Sequence, residues 1–413
     1  MIGFIITIIK LLCILGVVAT IHELGHFLAA KFFKIGVEEF AIGFGPKIFQ
    51  KEYKGTKYSL RWLPLGGFCA IEGEERFSNS ETSYTNKSAW KKVIVLSMGV
   101  IFNVILSVLI FLIVALNSYT STTKIEEFSN ISVLSESGVN VGDKIKTING
   151  NKIIFASDLN SLENIKGSDL DIKYVNSNNE EKSVTLKNVV KDIGYIGATF
   201  VVKDENKIDL IASGGAANKA GLKAGDVIIS INDVVLNNPS DIVEYIRSKP
   251  NETLNFKIKR GNEEIQKEVK TEVKKSYDLG IKKTEVVKTN IPMSFSVAYK
   301  NVETIVGSYI DLFKGKVALN DMSGIVGIGE IVSKTNGFLE FFNLMAIICL
   351  AVGVANIMPF PPLDGGKIVI VICESIVRRK ISEKVELIIS YIGFALLIVI
   401  TLLVTYNDIV RIL

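Results

Sequence analysis

Apolar residues fall into three patterns along this chain. The first is the long uninterrupted run. Ile2 to Ile21 holds one charge, Lys10; Val93 to Leu116 holds none; Phe341 to Met358 and Val385 to Val404 complete the set. Each is near the ~20 residues that cross a bilayer as a helix, so four membrane helices are expected. The second pattern is alternation with period two, in short stretches between about Tyr119 and Val273, which reads as strands. The third is helical spacing. Phe295, Tyr299, Val302, Val306, Tyr309 and Phe313 line one face of a helix between Ile291 and Lys314. That face suits packing on the membrane helices or lying in a membrane surface.

Lys34 to Lys92 fits none of the three. Gly43-Phe44-Gly45-Pro46 and Pro64-Leu65-Gly66-Gly67 break it into short β-like runs, which predicts strands and turns. It is either a connecting loop or a hairpin that dips into the membrane between two membrane helices.

The polar stretch contains an internal repeat. Gly138-Val139-Asn140-Val141-Gly142-Asp143, followed by Ile148-Asn149-Gly150, aligns with Gly221-Leu222-Lys223-Ala224-Gly225-Asp226, followed by Ile231-Asn232-Asp233. Each copy reads as a Gly-Asp turn, a strand and a tight turn. The second is better formed, with Ser213-Gly214-Gly215-Ala216-Ala217 ahead of it and a short helix expected from Pro239 to Ile246. The pattern resembles the bacterial PDZ domain. That resemblance implies either capture of extended peptides by strand addition or a steric gate with no peptide ligand.

Composition sharpens the class. Of 413 residues, 48% are hydrophobic, too many for an ordinary soluble protein. Formal net charge is only +4, and no basic block is interleaved with aromatics, so no nucleic-acid partner is expected. The four cysteines, Cys13, Cys69, Cys349 and Cys373, show no zinc-ligand spacing and all lie outside the polar stretch, so disulfides are not expected there. The first apolar run lacks a charged leader and a small-residue cleavage site, which favours a retained helix over a signal peptide.

Candidate chemistry sits at the end of that first run. His22-Glu23-Leu24-Gly25-His26 is an H-E-x-x-H stretch. On a helix, positions i and i+4 share a face, so both imidazoles can point at one metal ion. Glu23 can then hold or deprotonate a water beside it. Three fixed positions can arise by chance, but the chain has two histidines in all and both are here. Far downstream, the third run ends in Asn356-Ile357-Met358-Pro359-Phe360-Pro361-Pro362-Leu363-Asp364-Gly365-Gly366. Prolines stop the helix, and Asp364 stands at the membrane edge, as a ligand or as a simple cap.

Orientation links the two. Cations in Lys34 to Lys92, and Arg378-Arg379-Lys380 with Lys384, place both connections in the cytoplasm. With four crossings, the two histidines and Asp364 share one side and one depth, and the repeats lie outside.

These motifs together resemble the site-two protease family of intramembrane zinc metalloproteases, and within it the bacterial branch of regulator of sigma-E proteases. The matching stretches are His22 to His26, Ile42 to Pro46, Pro64 to Gly67, the Gly99/Asn103 pair, the two PDZ-like copies, Ser323 to Ile328, Asn356 to Gly366 and Tyr406-Asn407-Asp408. The chain departs from the family pattern at Val100, Ile325 and Lys367. The resemblance implies Zn2+ held by His22, His26 and Asp364, and Glu23 as catalytic base. It implies substrate contacts at Asn356 and on a β-loop containing Gly43, Phe44, Gly66 and Gly67. It also implies single-pass membrane proteins as substrates, such as an anti-sigma factor or signal-peptide remnants, cut in or near their membrane span.

The expected fold is a polytopic α-helical membrane protein with about four transmembrane helices, a membrane-associated β-loop and two inserted PDZ-like α+β domains. The expected order is a first helix with the motif (1–33), a cytoplasmic-side β-loop segment (34–92), a second helix (93–117), PDZ-like domains (118–200 and 201–276), an amphipathic helix and connector (277–338), a third helix (339–366), a cytoplasmic connection (367–384) and a fourth helix with the C-terminus (385–413). The expected location is the bacterial cytoplasmic membrane. One rival survives: a membrane-anchored PDZ scaffold with structural zinc. Structural zinc is normally closed by four protein ligands, and only three candidates converge here.

Overall fold

The computed structural model describes residues 2–412 except 75–77, 79, 130–131, 160–168, 188, 201–205, 213, 278, 316–322 and 380. Ser213 of the second repeat and Lys380 of the basic cluster thus lie outside the described residues. The chain divides into two compact units, Met1–Ser118 with Thr289–Leu413, and Tyr119–Lys288.

The first unit begins with α1 (Ile2–Phe32), then strands β1 (Val37–Tyr53) and β2 (Thr56–Ile71), then α2 (Ala89–Leu116). The expected loop is therefore built as a sheet. Its register is unusual: Phe40 is opposite both Cys69 and Tyr58, and Ala41 opposite both Phe68 and Ser59, while Lys51 faces Tyr58 a second time. Each strand bends on itself, so four ribbons lie side by side in the order 47–53, 56–61, 37–42, 67–71. The bends need glycine. Gly43 has φ +87°, and a Cβ there would stand 2.7 Å from the Leu63 carbonyl oxygen.

The second unit holds the repeats. Its elements are β3 (Tyr119–Phe128), α3 (Val133–Glu136), β4 (Lys144–Ile148), β5 (Asn151–Lys152), α4 (Ala156–Leu159), β6 (Leu170–Val175), β7 (Glu181–Leu186), β8 (Val190–Tyr195), β9 (Ala198–Phe200), β10 (Ile208–Ile211), α5 (Ala216–Lys219), β11 (Val227–Ile231), β12 (Val234–Val235), α6 (Pro239–Arg247), β13 (Thr253–Arg260), β14 (Glu263–Lys270), β15 (Glu272–Tyr277) and β16 (Ile281–Lys288). The repeated residues do the same work twice. Asp143 accepts from the Asn140 N–H at 2.9 Å, and Asp226 from the Lys223 N–H at 2.8 Å. Asn149 accepts from the Asp171 N–H at 2.6 Å, and Asn232 from the Asn255 N–H at 2.8 Å. Asn149-Gly150 and Asn232-Asp233 all have positive φ, the geometry of a tight hairpin turn.

The two copies are nested rather than successive, which revises the boundaries 118–200 and 201–276. The first sheet runs β16-β3-β4-β6-β7, so it recruits a strand from beyond the second copy. Strand β16 therefore belongs to this sheet and not to the connector expected over 277–338. β8 pairs with β15 on either side of the second copy, and Ile196 already packs in the second core with Ile228, Phe256 and Val269. Period-two patterning marks strands but does not name their partners, which is why the nesting was invisible in the sequence.

The chain then returns to the first unit with α7 (Ile291–Phe313), α8 (Ile325–Lys334), α9 (Phe338–Asn356), α10 (Asp364–Val377) and α11 (Glu383–Ile412). Among the described residues, four helices are long and apolar enough to cross a membrane: Gly3–Phe32, Ala89–Leu116, Phe338–Asn356 and Lys384–Val410. The amphipathic stretch is indeed helical, but α7 packs with Ala298, Val302 and Ile305, whereas Phe295, Tyr299 and Phe313 of the expected stripe are exposed. The span expected as a connection, 367–384, contains most of α10. The apolar residues Ile368 to Ile372 continue a helix that Asp364 begins, so the true connection is only Arg378 to Ser382.

Helix α8 is tied at both ends by charge. Asp408 of α11 accepts from the Gly324 and Gly327 N–H groups at 2.9 and 2.8 Å, and Lys10 of α1 donates to the Thr335 carbonyl at 2.6 Å. An anion at the N-terminus and a cation at the C-terminus both oppose the helix dipole.

Candidate metal centre and active site

Two helices bring the candidate ligands together. His22 and His26 lie one turn apart on α1, and Asp364 is the first residue of α10. Their ligand atoms all lie within 4.8 Å of one another, although 342 residues separate His22 from Asp364. Asp364 Oδ2 stands 2.9 Å from His22 Nε2 and 3.3 Å from His26 Nε2, and the two Nε2 atoms are 3.1 Å apart. Both histidines are 7% exposed.

Glycines make this convergence possible. A Cβ on Gly99 of α2 would stand 2.6 Å from His26 Nε2 and 2.8 Å from His22 Cε1, so the missing side chain is the space the imidazoles use. A Cβ on Gly25 would collide with the Met98 carbonyl, so α1 and α2 meet backbone to backbone beside the site. On the other side, Cβ atoms on Gly365 and Gly366 would strike the backbone of Ile357 and Pro361. The Gly-Gly pair lets the proline-rich loop fold over the start of α10 and fixes Asp364.

The donor set fits a metal. His26 Nδ1–H donates to the Val95 carbonyl at 2.8 Å, which leaves the Nε2 lone pair facing Asp364 and His22. His22 Nδ1 is buried with no hydrogen-bond partner among the described residues. Two imidazole nitrogens and a carboxylate oxygen crowded on one point repel unless a cation or protons sit among them, and this trio is a recognised ligand set for zinc. No cysteine joins the cluster: among the described residues that offer three ligands, only these converge.

Glu23 projects beside the histidines, half-buried, and its Oε2 accepts from the Cys69 N–H at 2.9 Å. That donor comes from ribbon 67–71, the outermost strand of the sheet on the α1 side. Sequence reasoning named Gly66 and Gly67 but missed Cys69; only the folded register shows that its backbone, not its thiol, reaches Glu23. Gly66 packs on Ala19, with a notional Cβ 3.2 Å away, so the ribbon runs along α1. Gly43 and Phe44 lie at the bend of the neighbouring ribbon, with Phe44 opposite Leu63 and stacked on Phe68 at 6.2 Å. Asn356 is the last residue of α9, half-buried, and forms no side-chain hydrogen bond among the described residues. Asn103, expected to bond across helices, is fully buried with neither amide atom hydrogen-bonded among the described residues.

Known proteins resemble this chain over nearly its whole length. Residues 10–400 match the profile described as Peptidase family M50. The chain is 29% identical over 439 residues to the regulator of sigma-W protease RasP of Bacillus subtilis, covering 99% of each chain. It is 28% identical over 432 residues to the zinc metalloprotease RasP of Bacillus licheniformis, covering 98% of this chain and 99% of that one. A match over nearly the whole length shows that this chain belongs to peptidase family M50.

Proposed function

We propose that this protein is a zinc-dependent intramembrane endopeptidase that cuts single-pass membrane proteins in or near their membrane span. One observation carries the reading: two histidines one turn apart on α1 and the first residue of α10 converge on a single point beside Glu23, within a helix long and apolar enough to cross a membrane. His22 Nε2, His26 Nε2 and Asp364 would hold the zinc, leaving a position open for water. Zinc, when bound, supplies Lewis acidity, which makes water acidic enough to attack at neutral pH and polarises the scissile carbonyl. Glu23 Oε1 takes the proton of the attacking water and returns it to the departing amide nitrogen. The Cys69 N–H keeps Oε2 occupied, so the carboxylate presents its other oxygen. One peptide bond and one water give a carboxylate and an amine.

A membrane-spanning substrate must first unwind, because helical carbonyls are hydrogen-bonded and shielded. Exposed backbone groups cost several kcal/mol each in lipid. Ribbon 67–71 has a sheet neighbour on one side only, so an unwound segment can add as a further strand at Gly66 and Gly67. Gly43 and Phe44 support this ribbon, and Asn356 offers an amide for a substrate carbonyl. The positive-inside rule applied to the basic connections supports a cytoplasmic side for the metal centre and an outer side for the repeats, whose two PDZ-like copies would restrict substrates with bulky outer domains. The name of the B. subtilis relative suggests an anti-sigma factor among the substrates.

The test is cleavage of a single-pass substrate with a short outer domain by purified full-length protein in lipid. The unmodified chain should cut it, and a zinc chelator should stop it. Glu23→Gln should lower the rate by ~10²–10⁴ while zinc stays bound. Equal cleavage by Glu23→Gln would refute the assignment of the base. Undiminished cleavage in chelator would refute the metal reading.

A further inference from the structure

The outer half of the β-sheet carries a feature that proteolysis does not use. Residues 47–61 contain five cations, Lys47, Lys51, Lys54, Lys57 and Arg61, against one anion, Glu52. This short segment alone matches the +4 of the entire chain. Arg61 is taken by Glu39 at 2.7 Å. The four lysines are exposed, and none forms an ion pair among the described residues. Lys54 lies over the Tyr53 ring at 5.3 Å. Interleaved with them are exposed apolar side chains: Ile48, Phe49, Tyr53, Leu60 and, at 68% exposure, Trp62.

Register places these groups on both faces. Lys51 sits opposite Tyr58, and Lys57 opposite Glu52 on the other face. A ribbon pair that shows aromatics and cations on both sides has no protein layer to cover it. Ribbon 47–53 is also the margin farthest from Glu23, on the opposite side of the sheet from ribbon 67–71.

Contacts with α1 fix the depth. A Cβ on Gly16 would stand 2.8 Å from the Pro64 oxygen, and Lys31 Nζ donates to Thr56 Oγ1 at 2.6 Å. The sheet therefore spans the helix from Gly16 to Lys31, ~22 Å at 1.5 Å per residue. The apolar run of α1 ends at Ile21, between those two points. The bend with Pro64 lies roughly 8 Å inside the apolar boundary and the Lys54 turn roughly 15 Å outside it. Lys47 and Lys51 fall between them, at the level of lipid headgroups, with stems long enough to reach either way.

We propose that Lys47, Lys51, Lys54 and Lys57 form a collar that binds anionic phospholipid headgroups, with Trp62 and Phe49 seated in the adjoining acyl boundary. Amphipathic aromatics favour that depth, and each lysine near an acidic lipid surface contributes roughly a fivefold preference. The collar holds the sheet against the leaflet, and through the sheet it holds ribbon 67–71 at a fixed height beside Glu23. Water alone would account for the lysines but not for the aromatics among them.

Trp62 and Trp90 are the only tryptophans in the chain, so Trp90→Phe leaves Trp62 as a reporter in the full-length protein. Its fluorescence is measured in phosphatidylcholine vesicles containing an equal minor fraction of brominated phosphatidylglycerol or brominated phosphatidylcholine. The collar predicts about twofold stronger quenching by the anionic lipid, lost in K47Q/K51Q/K54Q/K57Q and in high salt. Equal quenching by the two lipids overturns it. A second measurement needs no tryptophan change: phosphatidylglycerol retained by the unmodified chain and by the four-glutamine chain after extraction from mixed vesicles. Retention should fall severalfold in the variant, and equal retention overturns the proposal.

Discussion

Sheltered carboxylates differ between the two units. In the repeat unit, Asp226 is 1% exposed and fully partnered: Arg260 binds it through two nitrogens at 2.7 and 2.8 Å, and the Lys223 N–H adds a third bond. In the membrane unit, Asp364 faces the Nε2 atoms of two imidazoles, with His22 Nδ1 left unpaired among the described residues. The first is a closed structural knot, since both carboxylate oxygens have donors. The second is an acceptor-rich cluster that needs a cation to be at rest. Asp408 shows that membrane burial alone does not produce this state, because it is closed by the Gly324 and Gly327 N–H groups in the same unit.

The contrast can be broken in order of expected effect. Asp364→Ala should abolish zinc binding and cleavage, a loss of at least ~10³, while unfolding of the repeat unit stays unchanged; bound zinc at full occupancy in that variant would contradict the ligand assignment. Gly99→Val places methyl groups where the imidazoles sit. Zinc affinity should drop ~10–100-fold, as for changes to groups that orient ligands, read by competition with a chelator of known affinity. Asp226→Asn should leave zinc content as it is but cost about 3 kcal/mol of repeat-unit stability, read by denaturant unfolding of the full chain. Asp408→Asn weakens only one end of α8. Its cost should be about 1 kcal/mol, seen as faster amide exchange at Gly324 and Gly327 with zinc unaffected.

How much of this was legible in the sequence follows from the range of each interaction. His22 and His26 were readable because one helical turn relates them, and four apolar runs gave the four long helices. Asp364 was readable only through its motif and the expected orientation of the helices, since nothing local ties it to position 22. The doubled register of Phe40 was not readable, because alternation says which face a residue takes and not which strand lies beside it. The same gap hid β16, which pairs with β3 across about 160 residues. Helix α10 was missed because prolines before it and Arg378-Arg379 after it look like the limits of a loop. Cys69 was missed because its contribution is a backbone N–H, which every residue but proline carries.

Zinc-edge X-ray absorption on the purified full-length protein tests the account most directly. It should show one zinc per chain with two imidazole nitrogens and oxygen ligands, and no sulfur. Sulfur scattering from any of the four cysteines, or a zinc lacking the paired imidazole signature, would contradict a centre built from His22, His26 and Asp364.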